Sequence, residues 1–96
     1  METKNLAKIM KALSNENRLE LYLEIARREE TCFEDETAGC YIQDLKCSLK
    51  IGAPTISHHL KELENAELIV TQRRGKFLVA RINHETRELV RATLAI

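Results

Sequence analysis

The sequence predicts a mainly helical domain that carries one small β-hairpin. Three observations predict it. Apolar residues recur at helical spacing near both ends of the chain and in its middle, as in Leu6, Ile9, Met10 and Leu13. Between residues 68 and 82 the pattern changes to two short runs, Leu68-Ile69-Val70-Thr71 and Phe77-Leu78-Val79-Ala80-Arg81-Ile82, parted by Arg74-Gly75. A length of 96 residues, 44% hydrophobic and 31% charged, suffices for one folded domain but buries so modest a core that a partner subunit would help it.

Taken in order, Leu6, Ile9, Met10 and Leu13 mark the first helix by their i, i+3, i+4, i+7 spacing. Ser14 is placed to cap the second, with Glu16 in the first turn, where the helix dipole favours an acid. The stripe of that helix is Leu19, Tyr22, Leu23 and Ala26, and it ends at Arg27-Arg28-Glu29-Glu30. Thr31 to Gly39 is acidic, aperiodic and closed by a glycine, and it reads as a loop. Ile42, Leu45 and Leu49 mark a short third helix, and Ile51-Gly52-Ala53 a turn. Gly52 then serves as N-cap, and Pro54 sits in a first helical turn, where its missing N–H had no partner to lose. Ile56, Leu60 and Leu63 give the fourth helix its buried side. The hairpin follows, with a basic tip of Arg73, Arg74 and Lys76, and Asn83 caps a last helix whose apolar residues are Leu89, Val90 and Leu94. The order is α-α-α-α-β-β-α, without internal repeat, linker or low-complexity segment.

A short helix, a tight turn and a second helix fit a helix-turn-helix, and the hairpin behind them makes it winged. With Ile56, Leu60 and Leu63 facing inward, the fourth helix presents Thr55, Ser57, His58, Lys61 and Glu62 outward. Hydroxyls, an imidazole and a lysine bond base edges or phosphates, and Ala53 and Pro54 are small enough for a close approach to the major groove. Arg73, Arg74 and Lys76 suit a wing lying along the DNA backbone or minor groove. His59 lies three residues after Ile56, near the buried side, and is expected to pack or hydrogen-bond rather than read bases. The net charge is zero, but its distribution is uneven. Residues 1–40 hold six Lys/Arg against nine Asp/Glu, whereas residues 41–80 hold six against four, so a basic face coexists with overall neutrality.

The run Pro54-Thr55-Ile56-Ser57-His58-His59-Leu60-Lys61-Glu62-Leu63, followed by Ala66-Glu67-Leu68-Ile69-Val70 and Arg74-Gly75-Lys76, resembles the ArsR/SmtB family of metal-responsive repressors. Ala12-Leu13-Ser14-Asn15-Glu16-Asn17-Arg18-Leu19 is similar to that family's second-helix opening, and the resemblance runs from about Leu6 to the last helix. It implies a single winged helix-turn-helix domain over residues 1–96, dimeric through residues 1–13 and 83–96. It also implies a repressor that binds a palindromic operator in double-stranded DNA and is released by an inducer. Glu67 departs from the pattern, since the family usually ends the recognition helix with a glycine there; Asn65 or a looser helix end would have to substitute.

The three cysteines, an odd number, cannot all pair within the chain. The family's C-V-C-D-L-C metal site, aligned on Asp44-Leu45, puts Tyr41, Gln43 and Lys46 where cysteines belong, with Cys40 and Cys47 each one residue off. Its D-x-H site on the last helix also fails, because Asn83 and Glu85 flank His84 and no later histidine exists. Cys40 and Cys47, seven residues apart on one helix, would stand roughly 10 Å apart along its axis, too far for a disulfide. Cys47 lies about 140° round from Ile42, off the core stripe. Cys32 and Cys40 instead bracket the acidic loop. Two readings of them stand: unreactive thiols, or a sensor that oxidises or binds a soft metal or metalloid ion, with Cys47 of the dimer mate or Glu34 and Asp35 helping.

Other classes fare worse. No run approaches the ~18 apolar residues of a membrane span, and the first residues lack a signal peptide's apolar core, so the expected compartment is the cytoplasm. No nucleophile triad, phosphate loop or paired carboxylates argue for an enzyme; Ser57 and His58 are helix neighbours diverging by about 100°. The competing reading is a winged helix that docks a protein instead of DNA, for which the neutral net charge speaks.

Overall fold

In the computed structural model, residues 1–28, 30–34, 53–74 and 77–95 are described. Among these residues four helices and three strands follow in the order α1 (Thr3–Leu13), α2 (Glu16–Arg28), β1 (Glu30–Glu34), α3 (Ala53–Asn65), β2 (Ile69–Arg74), β3 (Phe77–Ile82) and α4 (His84–Leu94). The expected hairpin is present: β2 and β3 pair antiparallel, from Ile69 opposite Ile82 to Arg74 opposite Phe77. The helix expected over Ile42–Leu49, the Gly52 cap and the Gly75-Lys76 turn lie outside the described residues.

The reading of Thr31–Gly39 as loop is corrected over Thr31–Glu34, and residues 35–39 lie outside the described residues. Glu30–Glu34 forms a strand that pairs antiparallel with β3, so the hairpin belongs to a three-stranded sheet of order β1-β3-β2. Thr31 and Phe33 are good strand formers, and an edge strand needs pairing on one side only, which is available on β3.

Helix caps follow local chemistry. Ser14 does not cap α2; its hydroxyl donates to the Lys11 carbonyl (2.7 Å) and closes α1, while Asn15 Oδ1 accepts from the Arg18 N–H (3.0 Å). Asn83 caps α4 as expected, accepting from the Thr86 N–H at 3.3 Å. The end of α3 is neither loosened nor handed to Asn65. Glu67 itself takes a left-handed conformation, φ 62. The Leu68 N–H then reaches the Leu63 carbonyl (3.0 Å) and the Glu67 N–H the Glu64 carbonyl (2.9 Å). That pair of bonds is a complete Schellman motif, with Leu63 and Leu68 as its buried apolar partners. A side chain at that φ costs about 1–2 kcal/mol, partly offset because glycine loses more entropy on folding. Glu67→Gly is therefore expected to stabilise the fold by about 0.5–1 kcal/mol, raising the thermal midpoint by a few degrees. A variant melting at or below the parent would contradict the left-handed assignment.

The core joins Ile9 and Ala12 of α1, Leu21, Tyr22 and Ile25 of α2, and Ile56, Leu60 and Leu63 of α3 to Leu68, Ile69, Ala80 and Ile82 of the sheet region. Full burial of a leucine or isoleucine is worth roughly 1.5–3 kcal/mol. On α2 the buried stripe is turned from the expected one: Leu21 and Ile25 are fully buried, whereas Leu19 and Leu23 are exposed. The helix carries apolar residues on two sides, and packing against α3 and β3 selects the one that includes Leu21 and Ile25. Glu24 is buried beside them, and Arg27 and Arg28 meet its carboxylate from the next turn.

Candidate nucleic-acid interface

Helix α3 is amphipathic about the axis that the sequence predicts. Ile56, Leu60 and Leu63 are buried, and Thr55, Ser57, His58 and Lys61 are exposed. From Thr55 to Lys61 the exposed four span less than two turns, where hydroxyl, imidazole and ammonium groups form one polar face. Glu62, expected outside, is half-buried toward α1 and α2. The first turn begins at Ala53, as the position of Pro54 requires.

Two connections fix this face relative to the sheet. The Schellman turn leads directly from α3 into β2, and the Thr71 hydroxyl donates to the Glu64 carboxylate across the joint. Arg73, in β2, is exposed, and Arg74 ends that strand, while Lys76 lies outside the described residues. Helix and hairpin thus form one unit. The link from Glu64 to Thr71 escaped the sequence reading, although both residues stand at the joint.

His59 is 5% exposed, as its place beside Ile56 predicts. Among the described residues its buried Nδ1 has no partner, and its ring lies 5.9 Å from that of His58. Burial, then the nearby Arg18 guanidinium and His58, hold the imidazole below its usual 6.5, with Glu62 pulling the other way. A base with a depressed folded-state pKa stays neutral in the fold while the unfolded chain takes up its proton. The contribution of His59 is therefore intact above about pH 6.5 and is lost as pH falls from there to the lower folded value. Urea midpoints at pH 7.5 and 5.5 are expected to fall less in His59→Gln than in the parent; equal falls would clear His59 of the acid sensitivity.

A second surface lies between α1 and α4. A groove of about 440 Å³ is lined by Ile9, Leu13, Tyr22, Leu68 and Val90, with Arg87 and Arg91 at α4. Met10, Leu89 and Leu94 are exposed on these two helices, at 39%, 44% and 41%. Burial raises the Tyr22 hydroxyl pKa, and the Arg87 charge partly counters it.

The cysteines are not brought into view as a cluster. Cys32 stands in β1 opposite Val79, within a strand rather than at a loop's mouth, and Cys40 and Cys47 lie outside the described residues. Among the described residues no group of three or more His, Cys, Asp or Glu is suited to hold a metal ion, and no helix is long and apolar enough to cross a membrane.

Comparison with known proteins agrees with this architecture. The family described as "Bacterial regulatory protein, arsR family" matches residues 36–71. The chain is 33% identical over its whole length to an arsenical resistance operon repressor of Staphylococcus xylosus, covering 83% of that protein. It is 34% identical to a repressor of the same description from Staphylococcus aureus, over 88% of this chain and 71% of the other. A crystal structure of an ArsR family transcriptional regulator superposes with a TM-score of 0.73 at 21% identity, covering 99% of this chain and 88% of that one, which speaks for the fold. These are regulators and not enzymes. The chain belongs to the ArsR family of bacterial transcriptional regulators.

Proposed function

We propose that this regulator represses transcription as a homodimer on a palindromic operator. Thr55, Ser57 and His58 read base edges, and Lys61, Arg73, Arg74 and Lys76 hold the phosphate backbone. The observation that carries the reading is the exposed polar face at the start of α3, locked to the hairpin through Glu64 and Thr71. The N-terminal part of a recognition helix is the part that reaches base edges in a helix-turn-helix. The apolar groove between α1 and α4, with Met10 and Leu94 exposed on them, supports residues 1–13 and 83–96 as the dimer contact.

The inducer we propose is a soft metal or metalloid ion, or a thiol oxidant, acting through Cys32 and Cys40 with Cys47 as a further thiol. Two relatives described as arsenical resistance operon repressors support the metalloid. Thiolates suit such ions, and two cysteines on opposite sides of residues 33–39 would respond to one by drawing together. Such a repressor would act in the cytoplasm, where its operator lies.

The test is a titration against a fluorescent duplex of the chain's own upstream DNA, reduced and oxidised, with and without arsenite, at two salt concentrations. Tight reduced binding that weakens with oxidant or arsenite is expected, and a Cys32→Ser/Cys40→Ser variant should not respond. Lys61→Ala should weaken every duplex alike and lower the salt slope by about 1. His58→Ala should instead change sequence preference, by about 1–3 kcal/mol at the base it reads. Equal loss on specific and random duplexes would remove His58 from base readout.

A further inference from the structure

At the junction of α1, α2 and α3, away from the base-reading end of the recognition helix, lies a second cleft of about 230 Å³. Lys8 and Lys11 reach it from one face of α1, Arg18 from the first turn of α2, and Glu62 and Asn65 from the last two turns of α3. Arg18 is held in place: its Nη1 donates to the Ala12 carbonyl at 3.2 Å, and its backbone N–H is capped by Asn15. Its Nε is buried and has no hydrogen-bond partner.

Charge balance makes the cleft unusual. Three cations and one carboxylate line it, yet among the described residues Lys8, Lys11, Arg18 and Glu62 make no ion pair with one another. Arg18 does serve a C-terminal carbonyl of α1, and Lys11 stands in that helix's last turn, where positive charge is favoured. That role accounts for one guanidinium N–H and leaves Lys8, the Nε donor and the Asn65 amide unexplained.

We propose that the cleft binds a phosphate group. The donors that line it come from three helices, an arrangement that suits a tetrahedral oxyanion better than a planar carboxylate. Glu62 adds selectivity. Its carboxylate accepts a hydrogen bond from the P–OH of monohydrogen phosphate, whereas sulfate carries no proton near neutral pH and meets only repulsion. A bound phosphate ties α1 and α2 to the C-terminal half of α3 and so braces the recognition helix from behind. The proton that Glu62 requires is carried by free phosphate and by a phosphomonoester but not by the diesters of a DNA backbone, and the site does not depend on the proposed base readout.

Calorimetric titration of the full chain with inorganic phosphate and with sulfate, at constant ionic strength, tests this without DNA. The parent is expected to bind phosphate with millimolar affinity and to prefer it to sulfate. Lys8→Gln/Lys11→Gln should lose roughly tenfold in phosphate affinity, and Glu62→Gln should bring the two anions level. All three positions are surface or half-buried, and circular dichroism checks that the variants fold. Unchanged phosphate affinity in the double lysine variant, or equal affinity of the parent for both anions, overturns the proposal. A duplex titration adds an independent check. An unchanged salt slope in the double lysine variant is expected, and a slope smaller by about 1–2 would assign the lysines to backbone diesters and overturn the proposal. Failure of the base-readout assignment would leave the phosphate titration untouched, so the two can fail separately.

Discussion

Leu63→Ala is expected to cost about 3–4 kcal/mol of stability, out of a total of roughly 5–14 for a chain of this size. Leu63 is fully buried on α3 and lies among the core residues of α2 and the sheet region. Truncation removes its burial and leaves a cavity that helices anchored at both ends cannot collapse to fill. The position carries a second role, because Leu63 also supplies the carbonyl and the apolar contact that close the Schellman turn toward Leu68. Guanidinium unfolding should show a lower midpoint with little change in slope, and the thermal midpoint should drop by about 12–30 °C. Leu63→Met, nearly equal in volume, should cost less than about 1.5 kcal/mol. A loss below about 1 kcal/mol for alanine would mean that α3 is not seated on the core as described.

The double substitution Met10→Glu/Leu94→Glu is expected to leave the monomer folded and to weaken operator binding by about a hundredfold or more. Both side chains are exposed in the single chain, at 39% and 41%, so the carboxylates meet water there. In a dimer packed through α1 and α4 the same carboxylates would be desolvated against the apolar groove, at a cost that unpaired charges do not recover. Without the dimer, two half-sites bind separately, and the linkage that raises affinity by about 10²–10⁴ disappears. Sedimentation equilibrium would show a dimer for the parent and a monomer for the variant, and affinity for a single half-site would be nearly unchanged. A variant that still sediments as a dimer would place the contact elsewhere.

Much of the fold was legible because its signals are local. The i, i+3, i+4 spacing of the apolar residues, Pro54 in a first turn and the switch to short apolar runs after Leu68 each report on neighbours in sequence. The exposed face of α3 follows from Ile56, Leu60 and Leu63 alone. What was not legible depends on distant partners. Strand β1 forms because β3 offers an edge some fifty residues later, and the acidic run after Phe33 masked the strand formers Thr31 and Phe33. On α2, two apolar sides compete, and only tertiary packing selects Leu21 and Ile25 over Leu19 and Leu23. Arg18 could be picked out only as part of a motif, since its partner Ala12 lies on α1 and its cleft neighbours Glu62 and Asn65 on α3. The exposure of Met10, Leu89 and Leu94 reverses the usual meaning of an apolar stripe, because part of the stripe on α1 and α4 does not face the chain's own core.

The third strand alters what the hairpin can do. A two-stranded ribbon in water is marginally stable and samples many shapes. Here β3 is flanked on both sides, with partners from Glu30–Arg81 to Glu34–Phe77 on one edge and from Ile69–Ile82 to Arg74–Phe77 on the other. Its amides should therefore exchange with solvent deuterium among the slowest in the molecule. Such a hairpin arrives at a duplex already ordered at its base, so less conformational entropy is lost on docking and more of the electrostatic attraction survives as affinity.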